Sequence, residues 1–311
     1  MVIPTFASLL TQAQSARRQR EGLPAAVGLI LSMARLFLLG RTFLALALIG
    51  WGIQNFIYGD FVLGRAPAWP SGLPGQLLFA YATGGFFVAA GLALLGNVTV
   101  ASFAGASAVL VFGWAVARQL AAFALHPNWG GQLTDVGKAI TLFGGLLVIA
   151  SASWIGPDAG NALPAQARYG ALLSTIGRVC LSIFLIDSGI QHFLWAQFVA
   201  TLVPAWVGHA QFWTYAAGVF LIAGGLGLLI PRTARVAAAC CGLMIFLWFL
   251  MLHLPRTIAL PQSKTDWLAL FESLGFSGIA FAIAGSMRSE RSPLAISLAA
   301  TPRIADVGRS Q

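Results

Sequence analysis

Charge is what this sequence has least of. Asp, Glu, Lys and Arg make up 9% of its 311 residues, against roughly 25% in a soluble domain. A water-facing surface cannot be assembled from so few charges, which excludes a soluble nucleotide-binding enzyme and a disordered chain. Cysteine is nearly as scarce. Cys180, Cys240 and Cys241 form no CxxC or zinc spacing, so a disulfide scaffold is excluded and no metal site is expected. The sequence also lacks a Walker loop, a GxGxxG after a strand, a haem CxxCH, a nucleophile elbow and HExxH. Chemistry on a soluble cofactor therefore has no motif to support it. The first ten residues carry no basic group, and Arg17, Arg18 and Arg20 follow them, the reverse of a signal peptide's order.

What the chain has instead is apolar length. Hydrophobic residues make 58% of it, and mean hydropathy is +0.83. Runs at 41–58, 80–96, 100–121, 137–155, 179–196, 212–230, 236–254 and 267–286 each approach the roughly 20 residues a bilayer core requires. The expectation is an all-α polytopic membrane bundle of eight spans. The shorter run 25–40, broken by Arg35, is expected to lie at the interface. With both termini in the cytoplasm, thirteen Arg fall inside and five Arg or Lys outside (Arg65, Arg118, Lys138, Arg256 and Lys264). That is the positive-inside bias, so the 18 basic against 9 acidic residues point to lipid as partner and not to nucleic acid. Trp69, Trp129, Trp195, Trp206, Trp213 and Trp267 then ring the outer interface, while Arg118 and Lys138 are expected to snorkel. The expected place is a bacterial inner membrane.

The chain also repeats itself. RTFLALALIGWGIQNFIYGDFVLGRAPAW at 41–69 aligns without gaps to RVCLSIFLIDSGIQHFLWAQFVATLVPAW at 178–206, and thirteen of twenty-nine positions match. Further on, Tyr81, Gly84 and Gly91 answer Tyr215, Gly218 and Gly225; Trp114 answers Trp248; Thr134-Asp135 answers Thr265-Asp266. Two tandem four-helix units follow, at 41–156 and 178–287, with a lead-in at 1–40, a linker at 157–177 and a basic tail at 288–311. An even number of spans per unit gives both the same orientation, related by an axis along the membrane normal. The glycines at these positions let helix backbones approach closely.

Gly-Ile-Gln-His-Phe at 189–193, the Val-Pro-Ala-Trp loop, the Tyr-x-x-Gly helix ending Ile-Pro-Arg-Thr-Ala-Arg at 230–235 and His-Leu-Pro-Arg at 253–256 resemble the DoxX family, a group that includes DoxD and MauE proteins. The resemblance is clearest over 178–286. It implies a fused double DoxX unit, a quinone as cofactor, and association with a membrane or outer-side redox protein in an oxidoreductase system. Many DoxX-like chains carry a Glu on the second helix, where Phe87 and Leu221 stand here.

Inside the spans, each ionisable group needs a reason, because inserting one costs about 2.5–3.5 kcal/mol. Asp187 lies nine residues beyond Arg178, roughly 13 Å along a helix, and aligns with Gly50. Gln191 shares its face, and Gln54 and Asn55 stand where the second copy has Gln191 and His192. His192, His253, Asp266 and Glu272 are expected at a similar depth, as a cluster opening outward. Asp187, His192, His253 and Glu272 are the candidates for proton handling; Gln54, Gln191, Tyr215 and Trp248 are the candidates for holding a cofactor. The bland alternatives are that the histidines bond loop carbonyls, that Asp266 caps the eighth helix, and that Asp187 fixes helix register. A second function class is a pocket for a small apolar molecule lined by Phe193, Trp195, Tyr215 and Trp248. A third is a scaffold for a membrane complex.

Overall fold

The computed structural model describes residues 33–65, 67–127, 130–155 and 163–287. Among them are eight helices long and apolar enough to cross a membrane and no strand. They are α1 (Met33–Tyr58), α2 (Gln76–Leu95), α3 (Val100–Leu125), α4 (Gly131–Ile155), α5 (Pro164–Leu194), α6 (Ala210–Leu229), α7 (Pro231–Ala259) and α8 (Lys264–Ser286). The fold is an all-α polytopic bundle. Helices serve here because a span must satisfy its backbone polar groups internally.

Two boundaries differ from the sequence expectation. Residues 33–40 are not a separate interfacial helix but the first turns of α1; the rest of the 25–40 run, the three arginines before it and the 288–311 tail lie outside the described residues. Most of the expected linker, from Pro164 onward, is helix. Pro164 sits in the first turn and Gln166 Oε1 accepts from the Leu163 N–H at 3.0 Å, so α5 begins well before its apolar run. Ser263, not Asp266, caps α8: its hydroxyl oxygen accepts from the Asp266 N–H at 3.2 Å.

Close glycine contacts recur with the spacing of the internal repeat. A methyl group on Gly52 would come within 2.6 Å of the Gly84 carbonyl oxygen; on the aligned Gly189 it would come within 2.8 Å of the Gly218 carbonyl oxygen. A methyl on Gly91 would come within 2.6 Å of the Ala45 carbonyl oxygen, as one on Gly225 would come within 2.8 Å of the Ser182 carbonyl oxygen. Both third helices widen into a π turn at the same place, Ala115–Leu120 in α3 and Phe249–His253 in α7.

The two halves exchange their last helices. Gly40 of α1 meets Gly278 and Ala282 of α8, while Gly177 of α5 meets Gly144 and Val148 of α4. Each fourth helix thus packs on the first helix of the other half. α8 is the most enclosed element, buried from Glu272 through Ala284. Its Phe276 tilts against Phe184 of α5 at 5.1 Å, its Phe281 meets Phe43 of α1, and its Ile279 packs over Gly145 of α4.

Candidate functional site

The polar groups gather at the end of the bundle expected to face outward, around the start of α4 and α8. Lys138 is central. Its Nζ lies 2.9 Å from Glu272 Oε2 and 3.6 Å from Asp135 Oδ1, with its side chain 13% exposed and that of Glu272 5% exposed. Lys138 therefore does not snorkel. Two carboxylates hold it inside, one a turn back on its own helix and one from the other half. Arg118 does not snorkel either: it is 6% exposed, its Nη1 lies 3.2 Å from Asp60 Oδ1, its Nη2 donates to the Pro67 carbonyl, and its guanidinium lies over the rings of Trp69 and Trp114 at 5.6 and 5.8 Å. A planar guanidinium suits that mixture of ion pair and ring contact.

The residues expected as a cluster, His192, His253, Asp266 and Glu272, take different partners. Glu272 goes to Lys138, and Asp266 pairs with Arg256 at 3.2 Å. His253 stands in the field of Lys138, Arg256, Asp266 and Arg65. His192 turns back on its own helix, where Nδ1–H donates to the Ser188 carbonyl at 2.7 Å, and its ring stacks on Trp248 at 6.3 Å. The carbonyl leaves Nε2 free to accept.

Asp187 is half-buried and accepts from Gln191 Nε2 at 2.8 Å; Gln191 Oε1 in turn accepts from Thr134 Oγ1 of α4. The equivalent glutamine behaves alike. Gln54 Nε2 of α1 reaches the Trp267 carbonyl of α8 at 3.4 Å. Both glutamines thus bridge the first helix of one half to the first turn of the other half's last helix. Sequence identity between Gln54 and Gln191 is explained by this shared crossing.

One cleft stands beside that crossing. It measures about 430 Å³ and is lined by Gly50, Ile53, Gln54, Ile57, Tyr58, Pro261, Gln262, Trp267 and Phe271. Trp267 and Phe271 stack at 6.1 Å and form the α8 wall. Ile53 and Ile57 are 49% and 68% exposed on the outer flank of α1, so the cleft opens sideways toward lipid. Gln54 is 3% exposed, and its Oε1 has no hydrogen-bond partner. A buried unpaired amide oxygen costs about 1–3 kcal/mol, which a donor that displaces its apolar cover recovers.

Of Phe193, Trp195, Tyr215 and Trp248, the residues expected to line an apolar pocket, the first three lie on the bundle surface. Phe193 and Tyr215 stack on each other at 5.6 Å, both on the bundle surface at 42% and 40% exposure, as is Trp195 at 40%. The Tyr215 hydroxyl accepts from Gln211 at 3.0 Å. Among the described residues, no three His, Cys, Asp or Glu are grouped to hold a metal. The lining residues Trp267, Phe271 and Tyr58 escaped the sequence argument because each reads as ordinary interface aromatic or core; only Gln54 carried a signal.

A family model described as a domain of unknown function (DUF8561) matches residues 181–268. The match starts within α5 and ends in the first turns of α8, covering less than half of the chain. No curated protein and no solved structure matches the chain at a significant level.

Proposed function

We propose that this chain is a membrane-embedded binding protein that takes a small ring-bearing amphiphile from the outer part of the bilayer into the α1–α8 cleft. The observation that carries the proposal is an aromatic-walled, lipid-open cleft lined in part by Gln54, whose buried amide oxygen has no hydrogen-bond partner. The ligand this chemistry selects has a flat apolar ring to lie along Trp267 and Phe271, a hydroxyl to donate to Gln54 Oε1, and an apolar tail that leaves between Ile53 and Ile57. About 430 Å³ is within the roughly 300–1,000 Å³ of small-molecule sites.

A lipid quinol meets that description, which connects the cleft to the DoxX-like resemblance and its redox association. Gln54 and the ring wall fit such a headgroup; when bound, a quinol supplies reducing equivalents that an outer-side partner exchanges. Both termini are placed in the cytoplasm of a bacterium by the same proposal, with the cleft toward the outer leaflet.

The test compares a radiolabelled short-chain quinol with its dimethyl ether, which has no hydroxyl, on protein in lipid nanodiscs. Gln54→Leu is expected to weaken the quinol about fivefold, the equivalent of about 1 kcal/mol, and to leave the ether unchanged. Equal affinity of wild type and Gln54→Leu for the quinol would overturn the assignment.

A further inference from the structure

Aligned loops that share Phe-Val at their start and Pro-Ala-Trp at their end are handled differently by the two halves. In the first half Phe61, Val62 and Leu63 are 2%, 2% and 1% exposed, and Phe61 stacks on Trp114 at 4.9 Å. Four polar side chains keep the loop in. Asn55 Oδ1 accepts from the Val62 N–H at 3.2 Å, Gln119 Nε2 donates to the Leu63 carbonyl at 3.1 Å, and Arg118 pairs with Asp60 while holding the Pro67 carbonyl. In the second half, Phe198 aligns with Phe61 and Trp206 with Trp69, yet they are 65% and 68% exposed.

The difference lies in the anchors. Asp60 and Arg118, the ion pair, align with Gln197 and Leu252, so the charged clamp is gone. Asn55 and Gln119, the two groups that bond the loop backbone, align with His192 and His253. Those histidines keep the bonding capacity. His192 gives Nδ1–H to Ser188 and presents Nε2 as an acceptor, as Asn55 presents Oδ1; a ring N–H of His253 donates as the Gln119 amide does. The seat is present too. Trp248 aligns with Trp114, and Leu221 replaces the bulkier Phe87, which lies 6.2 Å from Phe61 in the first half.

We propose that residues 195–207 are a strap that closes over the outer end of the second half by seating Phe198 on Trp248, with His192 and His253 as its two latches. Closing trades loop bonds for latch bonds: the Val199 N–H leaves the Trp195 carbonyl, 3.0 Å away, for His192 Nε2, and the Ala200 carbonyl, which now accepts from the Val203 N–H at 3.3 Å, receives a His253 N–H. What must unwind is one helical turn, Ala196–Ala200, too short to hold itself together. The first half, with its ion pair, is fixed shut; the second, without one, opens and closes, and in doing so covers or uncovers the His192–Trp248 face. The strap does not depend on the cleft beside Gln54.

The experiment replaces the three native cysteines by alanine and introduces Val199→Cys as reporter, since its counterpart Val62 is buried. Labelling by a membrane-impermeant maleimide is followed in nanodiscs. Restoring the ion pair with Gln197→Asp and Leu252→Arg is expected to slow labelling at least about tenfold, which corresponds to about 1.4 kcal/mol in favour of the closed strap. His192→Leu is expected to speed it. A second measurement needs no grafted charge: a short bis-maleimide should link Gln197→Cys to Leu252→Cys within one chain in higher yield than Gln197→Cys to Val219→Cys on the lipid-facing side of α6. A grafted variant that elutes as folded monomer and labels at the unaltered rate overturns the strap. If the graft does not fold, a cross-linking yield no higher than the control overturns it.

Discussion

Removing Lys138 should cost this protein more than removing either of its partners. The ammonium group is shared by Glu272, at 2.9 Å and 5% exposed, and Asp135, at 3.6 Å and 19% exposed. Lys138→Met keeps the length of the stem and strips two carboxylates of their only cation in the triad. Breaking a buried pair from one side costs about 3–5 kcal/mol, and the Glu272 Oε1 that already lacks a hydrogen-bond partner puts this case at the upper end. Glu272→Gln leaves Lys138 paired with Asp135, so its cost is about 1–3 kcal/mol, that of a lost charge-assisted hydrogen bond. The double variant Lys138→Met with Glu272→Leu removes both buried charges and should be more stable than Lys138→Met alone by at least about 1 kcal/mol. Reversible unfolding by SDS in mixed micelles, followed by circular dichroism, measures all three. A Lys138→Met variant within about 0.5 kcal/mol of wild type, the range of a surface substitution, would show that the cluster contributes nothing to holding α4 against α8.

Other outcomes follow from single contacts. Gly40→Ala places a methyl 2.3 Å from the Ala282 backbone nitrogen and should prevent α8 from docking, whereas Gly105→Ala meets nothing within 4 Å and should stabilise the protein by about 0.5–1 kcal/mol; folded monomer yield and the SDS midpoint separate them. Arg118→Leu should release the loop from Asp60 to Trp69, read as new limited-proteolysis cuts there and none at 195–207. Gln262→Cys should react with an impermeant maleimide from outside intact cells, and Asn97→Cys, beside Arg41 at the opposite end, only after permeabilisation; the reverse pattern would invert the topology.

The eight spans were legible because hydropathy over some 20 residues reports the solvent directly. Their ends were less so. The first turns of α5 carry Gln166 and Arg168, which lower hydropathy although Pro164 at the helix start was a helix signal. Lys138 was misread as a boundary lysine because its decisive partner, Glu272, belongs to the other half, and pairing across an exchanged helix leaves no mark in either segment. The loop shows the same limit. Phe61 and Phe198 are identical in type and aligned, yet one is buried and one exposed, because the outcome is set by Asp60 and Arg118 and their replacements. The cleft appeared beside Gly50, not beside the conspicuous Asp187, since a cavity is made by what is missing.

The swap of terminal helices sets an order on biosynthesis. α1 is translated before the other seven described spans, but the surface that carries Gly40 and Trp51 meets its mate, the Gly275 and Gly278 side of α8, only when α8 has been translated. Until then α1 sits in the bilayer with one flank uncovered. A nascent chain stalled before Lys264 would therefore hold two unfinished halves, not one complete unit and one partial one, and membrane proteases that survey exposed helix flanks would find a substrate in α1.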